Sequence, residues 1–382
     1  MAITFTTPLP NNKWLLSENN RVVEFSSDYA ESPVYCDITI GSLTPIRIYP
    51  LPNETFWVNF RKYISSQLND YADTLNITVD PADIDTFVKD WTKVFLNEAF
   101  VFLITFDDDT TETVTVTPYI LLGSEQPYNY KLGRTIEDNV DVVLSPLKIA
   151  TSNRYYLKYW NGYPFDIGYT LAKGTTTQSQ TITNLTNGIT SPSILFPQEV
   201  NRLVISDGDT TQTLELFLTL VNGLNELELD NTYIDLYKEP AGCGVYMKWI
   251  NQSGGYSYWL FNEFYQIDAN VSTMGSINND FFNLADTISQ SKQLGKDSGD
   301  TWTIFSDDLS PNDMNIVRGI LSSPKVYLFT GVRFSINNFN DWLEVDMQTR
   351  GSNIKQSRES KNEIKLNIGL PNDYNIKLWG YL

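Results

Sequence analysis

The stretch 243–261, CGVYMKWINQSGGYSYWLF, decides the fold class. Two apolar and aromatic runs, Val245–Ile250 and Tyr256–Phe261, flank Asn251, Gln252, Ser253, Gly254 and Gly255. Glycine reaches positive φ without a Cβ clash, so two strands joined by a short Gly-bearing loop are predicted. Tyr246, Lys248 and Ile250 alternate with Val245, Met247 and Trp249, which gives each strand two faces. Aromatics in such a hairpin either pack in the core or form a surface that grips a sugar or a partner subunit. The residues for that second reading are Trp160, Tyr163, Trp249, Tyr256, Tyr258 and Trp259.

Strand-like runs recur toward the N-terminus at 22–25, 35–40 and 46–49, punctuated by Asn19-Asn20, Gly41-Ser42 and Pro50 to Asn53. Phe100–Phe106 and 111–117 read as a hairpin around Asp107-Asp108-Asp109-Thr110, where Asx side chains bond neighbouring backbone. Calcium at those aspartates would need a D-x-D-x-D-G ladder with a distal Glu, which this loop lacks. Residues 109–116 line up with 209–216, suggesting a related second β unit. Residues 154–159 are strand-like, 174–190 read as an exposed loop or edge strand, and 289–300 as a mobile loop.

Three helices are predicted. One spans 60–70 with Tyr63, Ile64 and Leu68 on one side. A second follows Asp80 and Pro81, with Ile84, Phe87, Val88, Trp91, Val94 and Phe95 at helical spacing. The third starts at Ser310-Pro311, with Asp313 three residues after the cap, and covers 311–322. Strands follow at 325–329, 342–347 and 363–368, the last two around a polar loop, 349–362. The expected architecture is therefore mainly β, with tandem β-sandwich-like domains and a few short inserted helices. Its expected blocks are 1–145 with the helix near 81–95, 146–240, and 241–382 after the interruption at Glu239-Pro240-Ala241-Gly242.

Composition narrows the chemistry. The 382 residues are 41% hydrophobic and 13% aromatic, enough for two or three packed cores. Against 27 Lys and Arg stand 46 Asp and Glu, a net charge of -19, so nucleic acid and membrane are not expected partners. The basic patch of Arg350, Lys355, Arg358 and Lys361 sits in acidic surroundings and does not alter that expectation. There is no His, which removes Ser-His-Asp and Cys-His catalysis and the usual zinc sites. Cys36 and Cys243 make no disulfide framework, consistent with synthesis in a reducing cytoplasm. No secretory signal and no apolar run of the ~18 residues needed for a membrane helix is visible. Phosphate loops, the G-x-S-x-G elbow and dinucleotide fingerprints are missing, and no pair among the many carboxylates stands out as glycosidic. No enzyme activity, cofactor or metal is expected.

Three segments carry a resemblance: Trp160-Asn161-Gly162-Tyr163-Pro164-Phe165-Asp166-Ile167, the 243–261 hairpin, and Leu321-Ser322-Ser323-Pro324-Lys325-Val326-Tyr327-Leu328. With the closing Trp342-Leu343-Glu344-Val345 strand start, they resemble uncharacterised virion structural proteins of tailed phages infecting Bacteroidetes-group bacteria. The resemblance covers the last two thirds of the chain. It implies a tail or baseplate ring or connector subunit, assembled in the host cytoplasm, whose partners are copies of itself and other virion proteins. The alternative is a carbohydrate- or receptor-binding module at the tail tip, taking a host surface glycan through its aromatics.

Overall fold

The computed structural model describes residues 2–68, 79–80, 82–91, 94–125, 141–145, 147–149, 153–171, 178–197, 199–208, 214–262, 265–278, 291–330, 342–349 and 362–370. Among the described residues strands hold 56% and helices 10%, so the architecture is mainly β, sandwich-like, with few short helices. The chain forms two compact units: Met1–Ala241 with Ile250–Ser257, and Gly242–Trp249 with Tyr258–Leu382.

In the first unit, β1 (Ile3–Thr7), β3 (Val22–Ser27) and β6 (Phe56–Asn59) make an antiparallel sheet in the order β1-β3-β6. A second antiparallel sheet has the order β10 (Thr111–Val116), β9 (Phe100–Phe106), β4 (Pro33–Ile40), β5 (Ile46–Ile48). Burial along β9 alternates, so Phe100, Phe102, Ile104 and Phe106 all point inward, as a period of two requires. Phe102 meets Phe25 and Phe5 of the other sheet at 5.1 and 5.4 Å between ring centroids, and Phe60 meets Phe100 at 5.2 Å. Edge-to-face packing of this kind builds a sandwich core from aromatic volume. The β9–β10 turn places Asp109 at φ +63°, and Asp108 accepts hydrogen bonds from the Thr110 backbone N–H (3.0 Å) and hydroxyl (2.6 Å). Beside these sheets, β2 (Trp14–Leu16), β11 (Tyr119–Leu121) and β8 (Phe95–Asn97) form a small sheet, β2 and β11 running parallel.

A second pair of sheets lies in the same unit. One has the order β12 (Asp141–Val143), β14 (Pro164–Leu171), β19 (Glu199–Asp207), β7 (Val88–Asp90). The other runs β13 (Arg154–Trp160), β21 (Thr232–Glu239), β20 (Gly223–Leu229), β16 (Ile182–Asn184), β17 (Ile189–Thr190). Tyr159 of β13 stacks on Phe165 of β14 at 5.2 Å, and both are buried. β15 (Gln178–Gln180) and β18 (Ile194–Phe196) pair separately. Because β7 adds to β19 through Val88↔Leu203, Lys89↔Arg202 and Asp90↔Asn201, one sheet crosses the edge expected at 145/146. Residues 1–145 and 146–240 thus share a compact unit rather than forming two.

Several local expectations change. The helix expected over 81–95 is a single 3₁₀ turn, Ile84–Phe87, capped by Asp83 rather than Asp80, followed by β7 and β8. Phe87, Val88, Trp91, Val94 and Phe95 are buried as foreseen, but Val88 and Phe95 are buried in strands β7 and β8, where a branched Val packs well, and Phe87 in the 3₁₀ turn. Pro81 lies outside the described residues. Helix α1 is Arg61–Gln67; it buries Ile64, and Leu68 just beyond it is buried too, while Tyr63 is exposed. The likeness of 209–216 to 109–116 does not extend to structure. Residues 209–213 lie outside the described set, and Leu214–Phe217 is one helical turn, α2, with Leu214 buried and Glu215 paired to Lys238. Within 174–190, Ile182 and Asn184 are buried in strand β16 instead of exposed.

The second unit is organised on a seven-stranded sheet. Its order is β23 (Tyr256–Phe261), β22 (Val245–Ile250), β26 (Val326–Phe329), β27 (Trp342–Met347), β28 (Ile364–Gly369), β25 (Ser291–Ser306), β24 (Tyr265–Asn278). Residues 291–300, expected as mobile loop, are strand, because they pair with β24 in an antiparallel ladder reaching from Ile304 to Ser291. Helix α3, Pro311–Val317, has a capping box: Ser310 Oγ accepts from the Asp313 N–H at 3.1 Å and Asp313 accepts from the Ser310 N–H at 3.3 Å. A 3₁₀ segment, Arg318–Ser322, extends it. Of the basic patch, Arg350, Lys355, Arg358 and Lys361 lie outside the described residues.

The tip of the hairpin at 250–257 belongs to the first unit. There Asn251 Nδ2 donates to the Leu144 carbonyl (2.9 Å), the Ser253 hydroxyl to Ser145 (3.0 Å), and the Ser124 N–H to Gln252 (2.6 Å). Gly254 has φ +82°, and a Cβ on it would run into the carbonyl of Leu122. Gly254→Ala is therefore expected to cost on the order of 2 kcal/mol or more, whereas Gly162→Ala, at φ +80° in open space, should cost about 1 kcal/mol. Thermal melts of the two variants check this ordering.

Candidate functional site

The six aromatics singled out from the sequence do not make one exposed surface. Trp160, Trp249, Tyr256, Tyr258 and Trp259 are each at most 5% exposed, and Tyr163 is half-buried. They are also divided between the units, with Trp160, Tyr163 and Tyr256 in the first and the other three in the second. The reason is that all six residues of β22 and all six of β23 are buried, so neither strand keeps a solvent face.

Within the second unit, Trp342 stands 5.8 Å from Tyr246 and 6.1 Å from Tyr258. The Lys248 ammonium lies 4.5 Å from the Trp342 ring centroid and the side chain is buried, so the ring face takes part of the charge's lost hydration. Trp259 Nε1 donates to the Ser306 hydroxyl at 3.2 Å. In the first unit, Tyr256 stacks on Trp91 at 5.1 Å with 14° between the planes. The Arg202 guanidinium lies 5.0 Å from the Tyr256 ring and 5.2 Å from Trp91, and pairs with Asp166 at 2.5 Å. Both ions are at least 96% buried, which demands pairing, since an isolated charge there would be very costly. Sequence reading found Tyr256 and passed over Arg202, Asp166 and Trp91. Lys89↔Arg202 pairing across β7 and β19 brings them together, and no local spacing encodes it.

Other charged groups sit at the surface. Arg154 forks to Glu226 and Asp235, and Arg47 binds Asp37 through two hydrogen bonds of 2.7 and 2.8 Å while lying 3.8 Å from the Tyr35 ring. The Arg47 hydrogen bonds hold Asp37 below its ordinary pKa, and those from Thr110 do the same for Asp108. Carboxylates held ionised in this way suit ion pairing and turn formation, not proton donation. Among the described residues no cluster of three or more metal-binding side chains occurs. An open groove of about 520 Å³ in the second unit is lined by Leu321, Pro324, Lys325, Glu344, Asp346 and Thr349 among others; Lys325 and Glu344 pair across it at 3.8 Å.

Two groups of exposed large apolar side chains lie on or next to strands that end a sheet. Tyr49 (69% exposed) and Leu51 follow β5, and Trp57 lies on β6, which is beside β5. Tyr265, Ile267, Val271, Met274 and Ile277 line β24. Sequence reading missed this set because exposure is decided by strand order, not by residue type.

No protein family and no curated protein matches the chain. Two solved structures are similar at 9% identity and a TM-score of 0.18 each. One is of fibronectin(III)-like modules of Clostridium thermocellum CbhA, covering 63% of this chain and 95% of that one. The other concerns host cell surface retention of a 1.5-MDa bacterial ice-binding adhesin, covering 77% and 88%.

Asp166→Asn should destabilise the first unit by about 3–5 kcal/mol by leaving Arg202 buried beside a neutral partner; denaturant titration measures it. The thiols give a second check. Burial pushes Cys36 up to about 12, and Cys243 is exposed. In mildly alkaline buffer the native protein should titrate one thiol with a disulfide reagent and the unfolded protein two.

Proposed function

We propose that this chain is a structural subunit of a phage virion, a tail or baseplate ring or connector component acting by assembly with itself and other virion proteins. The observation that supports it most is the placement of exposed apolar residues. Tyr49, Leu51 and Trp57 flank short terminal strands of the first unit, and five apolar side chains line the terminal strand β24 of the second. Terminal strands are where a monomer normally puts charge or proline, and where an assembling protein puts its joints. The missing histidines and the surface ion pairs engaged in structural roles agree with a protein that binds by shape. The glycan-binding alternative loses five of its six residues, because those rings are covered by protein.

Light scattering on the eluting protein tests the reading. A mass of several chains, with discrete particles in negative stain and the protein detected in purified virions, is the expected outcome. A monomer throughout the micromolar range, absent from virions, contradicts it.

A further inference from the structure

Among the described residues the most exposed strand is β24, which forms a two-stranded ribbon with β25 in the second unit. Thirteen of the fourteen residues of β24 are exposed, and the strand has no described neighbour on its outer side. β28 accompanies β25 only from Thr301 to Ser306, so the ribbon continues as two strands beyond the sheet. A two-stranded ribbon is marginal in water by itself.

This ribbon has unlike faces. Residues 265, 267, 269, 271 and 273 share one side: Tyr265, Ile267, Ala269, Val271 and Thr273. Trp302, opposite Ile267, is on that side, and Tyr265 stacks on it at 5.8 Å. Gln266, Asp268, Asn270 and Ser272 make the other side polar. Along β24 the ladder is regular from Tyr265 to Thr273 and bulges at Gly275. Proline is missing from the strand, and Asp268 is its only charge, so a single carboxylate is all that guards that run against edge pairing.

We propose that β24 pairs antiparallel with β24 of a second copy of this chain, joining two ribbons into a four-stranded sheet with one continuous apolar face. Three observations select a second copy. An unpaired run of nine residues calls for a strand of matching length, and a strand set against itself about a twofold axis supplies one. The faces restrict the register: apolar side meets apolar side only if the axis passes through a residue and not between two, and centring on Ala269, the middle of the regular run, uses all nine residues and puts Ile267 opposite Val271 of the mate and Tyr265 opposite Thr273. Charge permits it, since β24 and β25 together hold two lysines and three aspartates on a chain of net charge -19, leaving little repulsion there. Such a junction removes on the order of 1,000 Å² from water, the lower end of specific interfaces, so it is expected to associate in the micromolar range.

The inference names the joint for the assembly reading above and rests on it in part. Its test uses the full chain with Cys243→Ser, which leaves only buried Cys36. Adding Ala269→Cys is expected to give an intermolecular disulfide in high yield under mild oxidation, whereas Ser272→Cys, off the axis and on the polar side, should give little. Without oxidation, Ile267→Lys with Val271→Lys should weaken association roughly tenfold or more, with far-UV circular dichroism unchanged, while Gln266→Lys with Asn270→Lys should not. No disulfide at Ala269→Cys overturns the proposal, even if the lysine variants prove unfolded. Assembly that persists through Ile267→Lys and Val271→Lys without that disulfide overturns this joint and leaves the assembly reading standing. A strictly monomeric wild type overturns both.

Discussion

A strand can satisfy its backbone N–H and C=O groups only sideways, and this constraint governs the whole chain. Every sheet must end somewhere, and each end strand exposes a row of unpaired groups. Most ends here are short: β5, β7, β8 and β12 have three residues each and β17 has two, so little backbone is left to water. β24 is the departure, with fourteen residues.

The same constraint shapes the interior. Strands β22 and β23 bury both faces, so polar atoms on them need partners inside the protein. Trp259 finds Ser306, and Lys248 lies over Trp342. Arg202 and Asp166, on the adjacent strands β19 and β14, solve a similar problem by pairing beneath Trp91 and Tyr256. Buried ion pairs of this sort add little net stability against an apolar replacement, but losing one member is severe. They therefore fix which strands lie together more than they deepen the fold.

Much of the fold was legible in the sequence where a local rule decides. The Gly254-Gly255 loop, the alternation of β9, the aspartate turn and the Ser310–Asp313 capping box all follow from φ preferences, period and capping chemistry. Illegible parts were those set by distant neighbours. Phe87, Val88, Trp91, Val94 and Phe95 fit helical spacing, yet pairing with β19 and β11 draws 88–90 and 95–97 into strands. Ser, Gly and Asp in 291–300 suggest a loop, but nine partners on β24 override weak propensity. Of the candidate surface, residue type was readable and exposure was not. Five of the six aromatics chosen as a surface are core, and the exposed apolar side chains of β24 lie on a strand whose place at the end of a sheet appears in no short motif.

The most direct measurement is amide hydrogen exchange over residues 265–278 at dilute and concentrated protein. On this account the outward-facing amides of β24 exchange rapidly when dilute and gain protection as concentration rises, while the amides facing β25 stay protected in both. Equal exchange at both concentrations, in a protein whose other strands remain protected, would contradict it.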